Sequence, residues 1–122
     1  MSKVVLLVED NDFIRNMYQL KLTKADLTVV EAIDGNMALE KIKEHKPDLM
    51  LLDLMMPNVG GMEVLKELHK QKITPNLPVI VLTNIMDPQI VAEAKGYGAR
   101  DFIVKTDLTP SQVVEKLEPF LK

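Results

Sequence analysis

The side chains that can do chemistry in this chain are few, and each follows a short apolar run. Glu9 and Asp10 come after Val4–Val8, Asp53 after Leu49–Leu52, Thr83 after Val79–Leu82 and Lys105 after Phe102–Val104. A carboxylate pair, a third carboxylate, a hydroxyl and an ammonium at equivalent places suggest one convergent site. Three carboxylates held close together repel unless a cation or a proton compensates them. The chain has no cysteine, and its two histidines, His45 and His69, sit singly in polar helical stretches that read as surface. An all-oxygen donor set favours a hard cation such as magnesium, which keeps several waters and joins carboxylates to a phosphoryl group. Lys105 is suited to pairing with Asp53 or with phosphoryl oxygens, and Thr83 to donating a hydrogen bond to one of those oxygens. A carboxylate can itself be the nucleophile that forms an aspartyl phosphate.

These groups meet only if the runs are parallel strands. The runs are Val4–Val8, Thr28–Val30, Leu49–Leu52, Val79–Leu82 and Phe102–Val104, four of them apolar almost throughout, as strands buried on both faces are. Helical spacing separates them. Phe13, Ile14, Met17 and Leu20 predict one apolar stripe, behind Asp12 as N-cap. Ala38, Leu39 and Ile42 predict a second, and Val64, Leu65 and Leu68 a third. Asp87-Pro88 opens a fourth helix that Gly96 and Gly98 stop. Thr109 to Gln112 fits a capping box ahead of Val113, Val114 and Leu117, and Pro119 disturbs the last turn. Strand then helix, five times over, predicts an α/β fold: a parallel sheet with helices on both faces, joined by right-handed crossovers. Ligands of such sheets bind outside the carboxyl ends of the strands, where the five chemical residues fall.

Composition limits the alternatives. A chain of 122 residues with 47% hydrophobic and 27% charged residues is expected to form a single domain, 1–122, around one sizeable core. Fifteen Lys+Arg against eighteen Asp+Glu give a net charge of −3, so no bulk attraction draws it to nucleic acid. No apolar run approaches the roughly 20 residues that cross a bilayer, and no signal-peptide layout opens the chain. Direct nucleic-acid binding and membrane association are therefore not expected, and a cytoplasmic location is.

Four stretches together resemble the receiver domain of bacterial two-component response regulators. They are Val8-Glu9-Asp10-Asn11, the run from Leu52-Asp53 through Met55-Met56-Pro57 to Gly60-Gly61-Met62, Leu82-Thr83, and Gly98 to Lys105. Each is weak alone; all four in order at strand ends are specific. The resemblance implies a flavodoxin-like, doubly wound five-stranded parallel sheet of order 2-1-3-4-5. It implies Asp53 as phosphoacceptor, with Mg2+ held by Asp10, Asp53 and the Met55 carbonyl and Glu9 acting indirectly. Thr83 and Lys105 would act on the phosphoryl group, and Thr83 and Phe102 would be the switch pair. Phe102 reads equally as plain core. A sensor histidine kinase or phosphotransfer protein would supply the phosphoryl group, and a downstream protein would read the change.

Two positions depart from the family pattern. Thr106 follows Lys105 where proline is usual, which predicts a trans Lys105–Thr106 bond because a cis non-proline amide costs about 3 kcal/mol. Asn84 follows Thr83 where a small residue is usual. With Met55 and Ile85 flanking the approach of water, Asn84 predicts a long-lived aspartyl phosphate. Competing readings are weaker. An aspartyl-nucleophile phosphohydrolase of the haloacid-dehalogenase kind needs a second Asp where Met55 stands. A partner-binding receiver that has lost phosphorylation is opposed by the intact acids, threonine and lysine. No G-x-G-x-x-G or P-loop supports nucleotide binding. The reading is a signalling module, not a conventional enzyme.

Overall fold

The computed structural model describes residues 3–54, 56, 60–84 and 87–121. Five strands alternate with five helices: β1 Val4–Val8, α1 Asp12–Lys24, β2 Thr28–Ala32, α2 Gly35–His45, β3 Leu49–Asp53, α3 Gly61–Lys70, β4 Val79–Thr83, α4 Pro88–Gly96, β5 Ala99–Val104 and α5 Pro110–Leu117. The strands form one parallel sheet of order 2-1-3-4-5. Continuous apolar strands are accounted for by two cores. Leu6, Val8, Met50, Leu52, Val79 and Val81 point to the face covered by α2, α3 and α4. Their neighbours Val5, Leu7, Leu49, Leu51, Ile80 and Leu82 point to the face covered by α1 and α5. The period-2 alternation of a strand sends successive side chains to opposite faces, so a strand buried on both sides must be apolar at every position.

The capping signals hold in kind. Asp87 accepts from the Gln89 amide ahead of Pro88, and Thr109 and Gln112 form the reciprocal capping box. Helix α5 ends at Leu117, and Glu118–Phe120, containing Pro119, tighten into a 3-10 turn. The left-handed Gly98, at φ 106°, turns the chain from α4 into β5.

Helix α1 departs from expectation. Phe13 and Leu20 of the expected apolar stripe are 77% and 58% exposed, and the buried residues are Tyr18 and Leu22. Ile14, shared with the expected stripe, recurs with Tyr18 and Leu22 at four-residue spacing, and contact with α5 and β2 selects that side of the helix. The N-cap is Asn11, whose side chain accepts from the Ile14 amide, and Asp12 is the first helical residue. There its carboxylate faces the positive end of the helix dipole.

Candidate functional site

The strand ends bring the chemical residues to one edge. Asp53 closes β3 and Thr83 closes β4, both buried; Glu9 follows β1 and Lys105 follows β5. Register does the alignment: Val8 lies opposite Leu52, Asp53 opposite Leu82 and Thr83 opposite Val104. The Lys105 amide continues the ladder by donating to the Thr83 carbonyl at 2.8 Å.

The Lys105 ammonium, with a side chain only 10% exposed, ties the edge together. It donates to Glu9 Oε1, and at 3.2 Å to Asp53 Oδ2. The second Glu9 oxygen accepts from the Asn11 amide at 3.2 Å. Glu9 is 1% exposed and has both oxygens engaged, whereas Asp10 beside it is exposed. One oxygen from each of Glu9, Asp10 and Asp53 lies within 4.8 Å of the others.

The electrostatics follow from this crowding. Although Asp10 is exposed, partial desolvation at this crowded edge raises its carboxyl above the ordinary carboxylate range, and contact with Glu9 raises it further. Burial alone would lower the Lys105 ammonium. The hydrogen bond to Glu9 and the charges of Asp53 and Glu9 outweigh that and hold it above the usual lysine range. Burial likewise raises the Tyr18 phenol, which lies within the field of Lys105, Glu9 and Asp53. An all-carboxylate oxygen cluster with one exposed, electrostatically disfavoured member suits a hard divalent cation.

Of the expected residues, Glu9, Asp10, Asp53 and Lys105 meet directly, and Thr83 ends the strand beside Asp53. Phe102 is buried in the core on the α4 face, with the Lys95 ammonium 5.8 Å from its ring centroid. Met55 and Ile85 lie outside the described residues. Asn84 is exposed next to Thr83. Among the described residues no peptide bond is cis, so the Lys105–Thr106 bond is trans as expected.

Motif reading misses one residue of the site, Arg15, and gives no role to a second, Gly61, which lies inside the Gly60-Gly61-Met62 run. Arg15, its side chain 13% exposed, donates from Nη1 to the Glu9 carbonyl at 3.0 Å and from Nη2 to Asp12 at 2.5 Å, and reaches Glu31 at 3.5 Å. It braces the loop that carries the acidic pair against β2. A cation in the first turn of a helix opposes the dipole, and that misplacement was a readable signal. Gly61 is the other. A Cβ there would stand 2.4 Å from the Asp53 carbonyl oxygen and 2.6 Å from Leu54 Cα, so only glycine lets α3 start against the backbone that carries Asp53. Gly60 has ordinary room, with nothing nearer than 3.6 Å.

Residues 5–118 match the response regulator receiver domain, and the chain belongs to that family. It is 43% identical over 123 residues to the chemotaxis protein CheY of Thermotoga maritima, covering all of both chains. It is 33% identical to the alkaline phosphatase synthesis transcriptional regulatory protein PhoP of Bacillus subtilis and spans 50% of that protein. Among solved structures it superposes on Vibrio cholerae CheY4 with TM-score 0.91 at 30% identity, covering 99% of this chain and 100% of that one. The response regulator domain of Thermotoga maritima CheB gives TM-score 0.83 at 36% identity, covering 98% and 94%. The chain is thus a receiver module of two-component signalling, a signalling domain and not a conventional enzyme, of a kind that works between a histidine kinase and a downstream target. No helix among the described residues is long and apolar enough to cross a membrane.

Proposed function

We propose that Asp53 is the phosphoacceptor and that the protein, a single receiver domain over residues 1–122, is cytoplasmic. The observation that carries the assignment is the position of Asp53 at the end of β3, held at 3.2 Å by Lys105 and within 4.8 Å of the acidic pair. An Asp53 carboxylate oxygen attacks the phosphorus of a phosphohistidine on a sensor kinase or phosphotransfer protein. The new P–O bond forms as the P–N bond breaks, and the imidazole leaves with its electron pair and takes up a proton. Phosphorylation places negative oxygens where the Lys105 ammonium already sits, so that group can transfer from carboxylate to phosphoryl oxygen without moving far.

Asp10, Asp53 and the Met55 carbonyl are the proposed Mg2+ ligands. These residues would hold the cation, which when bound would offset the carboxylate charge and the charge that develops on the transferring oxygens. Glu9 is committed to Lys105 and to the Asn11 amide, which supports an indirect role toward the metal. Thr83 donates to a phosphoryl oxygen, and Thr83 with Phe102 carries the change to the surface that a downstream protein reads. The chain thereby assists its own phosphorylation and also its own dephosphorylation, in which a water oxygen attacks phosphorus, the P–O bond to Asp53 breaks with its electron pair returning to the carboxylate, and inorganic phosphate and a proton leave.

The test is incubation with acetyl phosphate and MgCl2 followed by intact mass and site mapping. The parent chain gains one phosphoryl mass, and Asp53→Asn gains none. Full labelling of that variant removes Asp53 from the mechanism.

A further inference from the structure

The opposite edge of the sheet carries a second feature. Where α2 runs into β3 and where α3 runs into β4, the two connections enclose a groove of about 380 Å³. Ile42, Ile73 and Leu77 form its apolar floor, and Lys43, Lys46 and Lys72 stand on its walls. In a chain of net charge −3 this is a local reversal of sign. Among the described residues none of the three lysines has an acidic partner within 4 Å. Neighbouring carboxylates are turned elsewhere: Glu44 to Lys41 and His45, Asp48 to the Val4 amide.

The backbone supplies an independent observation. Lys46 and Lys72 have φ of 45° and 60°, two of only three non-glycine residues in the left-handed region among the described residues. Lys46 closes α2 by donating to the Ile42 carbonyl. Lys72 closes α3 in a Schellman turn, with Lys72 donating to His69 and Ile73 to Leu68. These positions ordinarily take glycine, which adopts the conformation without steric cost. The helix dipole welcomes a cation near either C-terminus. It does not account for lysines on both walls of one apolar groove.

We propose that this groove docks an acidic peptide segment of a partner protein, one large apolar side chain seated on the floor and flanking carboxylates against the three lysines. Lysine is a compact point charge on a flexible stem, without the fixed fork by which arginine fixes a small planar anion. Cations on both walls match carboxylates spaced along a chain. Five-residue strands rising about 3.3 Å per residue put this edge some 16 Å from Asp53, so a partner held here leaves the phosphoacceptor open.

The experiment uses the full chain and a fluorescein-labelled peptide, Glu-Glu-Leu-Phe-Glu-Glu, read by anisotropy and by amide chemical shifts. Saturable binding is expected that weakens with added salt, with shifts at residues 42–47 and 72–77. The peptides Gln-Gln-Leu-Phe-Gln-Gln and Glu-Glu-Gly-Gly-Glu-Glu should both bind more weakly. The double variant Lys46→Gly/Lys72→Gly should lose affinity by about fivefold or more while its Tm rises, because two ion pairs and two left-handed side chains are removed together. That opposite movement separates a binding role from a structural one. The inference is overturned by absence of saturable binding, by equal binding of either control peptide, by unchanged affinity in the double variant, or by shifts clustered around Asp53. Uptake of the small aromatic anion anilinonaphthalene sulfonate at the groove, with none of the peptide, overturns it in favour of a small-molecule site.

Discussion

The two edges of this one sheet are built in opposite ways. At the carboxyl edge Glu9, Asp53 and Thr83 are buried, and a nearly buried ammonium holds two of the carboxylates. At the amino edge the charges are exposed lysines around an apolar floor, with no acidic partner among the described residues. Buried charge must be compensated in place, because desolvation makes an unpaired ion costly. Exposed charge keeps its water and can await a partner. The first edge is therefore organised for a reaction at a defined atom, the second for reversible attraction. The difference teaches that burial, more than charge count, separates a reactive site from a docking surface.

The largest effect should come from removing the central cation. Lys105→Met leaves Glu9 and Asp53 buried without compensation and is expected to cost about 3–5 kcal/mol at neutral pH. Urea unfolding at pH 7 measures this loss. Stability unchanged at pH 7 would mean that the ammonium does not bind this edge together. No comparable loss is expected from Lys43→Met at the other edge.

Next comes the backbone beneath the site. Gly61→Ala drives a methyl group against the Asp53 carbonyl and should cost about 1–3 kcal/mol, with slower phosphoryl uptake. Gly60→Ala, one residue earlier, should stay within about 0.5 kcal/mol. Similar thermal melts for the two variants would contradict the close approach.

A smaller effect follows from pH. Lys105 and Tyr18 both hold their protons more tightly in the fold than in the unfolded chain. A group whose folded value is raised contributes stability that is present below its ordinary range and lost as pH rises through the folded value. Thermal stability should therefore fall above about pH 10, and Tyr18→Phe should make that fall shallower. A melting temperature that is flat to pH 11 would refute the shifts.

The smallest change in stability, and the most informative in sign, is expected at Asp10. Its carboxyl is raised by partial desolvation and by Glu9, so its charge is unfavourable in the metal-free fold. Asp10→Asn should slightly raise the Tm in EDTA while weakening Mg2+ binding by about tenfold or more. Glu9→Gln should weaken Mg2+ less. Isothermal titration that found equal losses would undo the distinction between the exposed and the lysine-bound carboxylate.

Much of this was legible from residues alone. Apolar strands, helix caps and the strand–helix alternation determined a parallel α/β sheet, because burial on both faces demands apolar residues at every strand position. The same alternation put Glu9, Asp10, Asp53, Thr83 and Lys105 at one edge, since parallel strands end on the same side. Local pattern could not decide the rotation of α1. Phe13, Ile14, Met17 and Leu20 make as good a stripe as Ile14, Tyr18 and Leu22, and only packing on α5 and β2 chose between the two faces that Ile14 borders. Nor could it reveal that Lys105 bridges Glu9 as well as Asp53, that Arg15 braces the acidic loop, or that Gly61 touches the Asp53 backbone. Those relations join residues through space, at a sequence separation of up to 96 in the case of Lys105 and Glu9. Sequence periodicity describes one element at a time; contacts between elements exist only once the chain has closed its core.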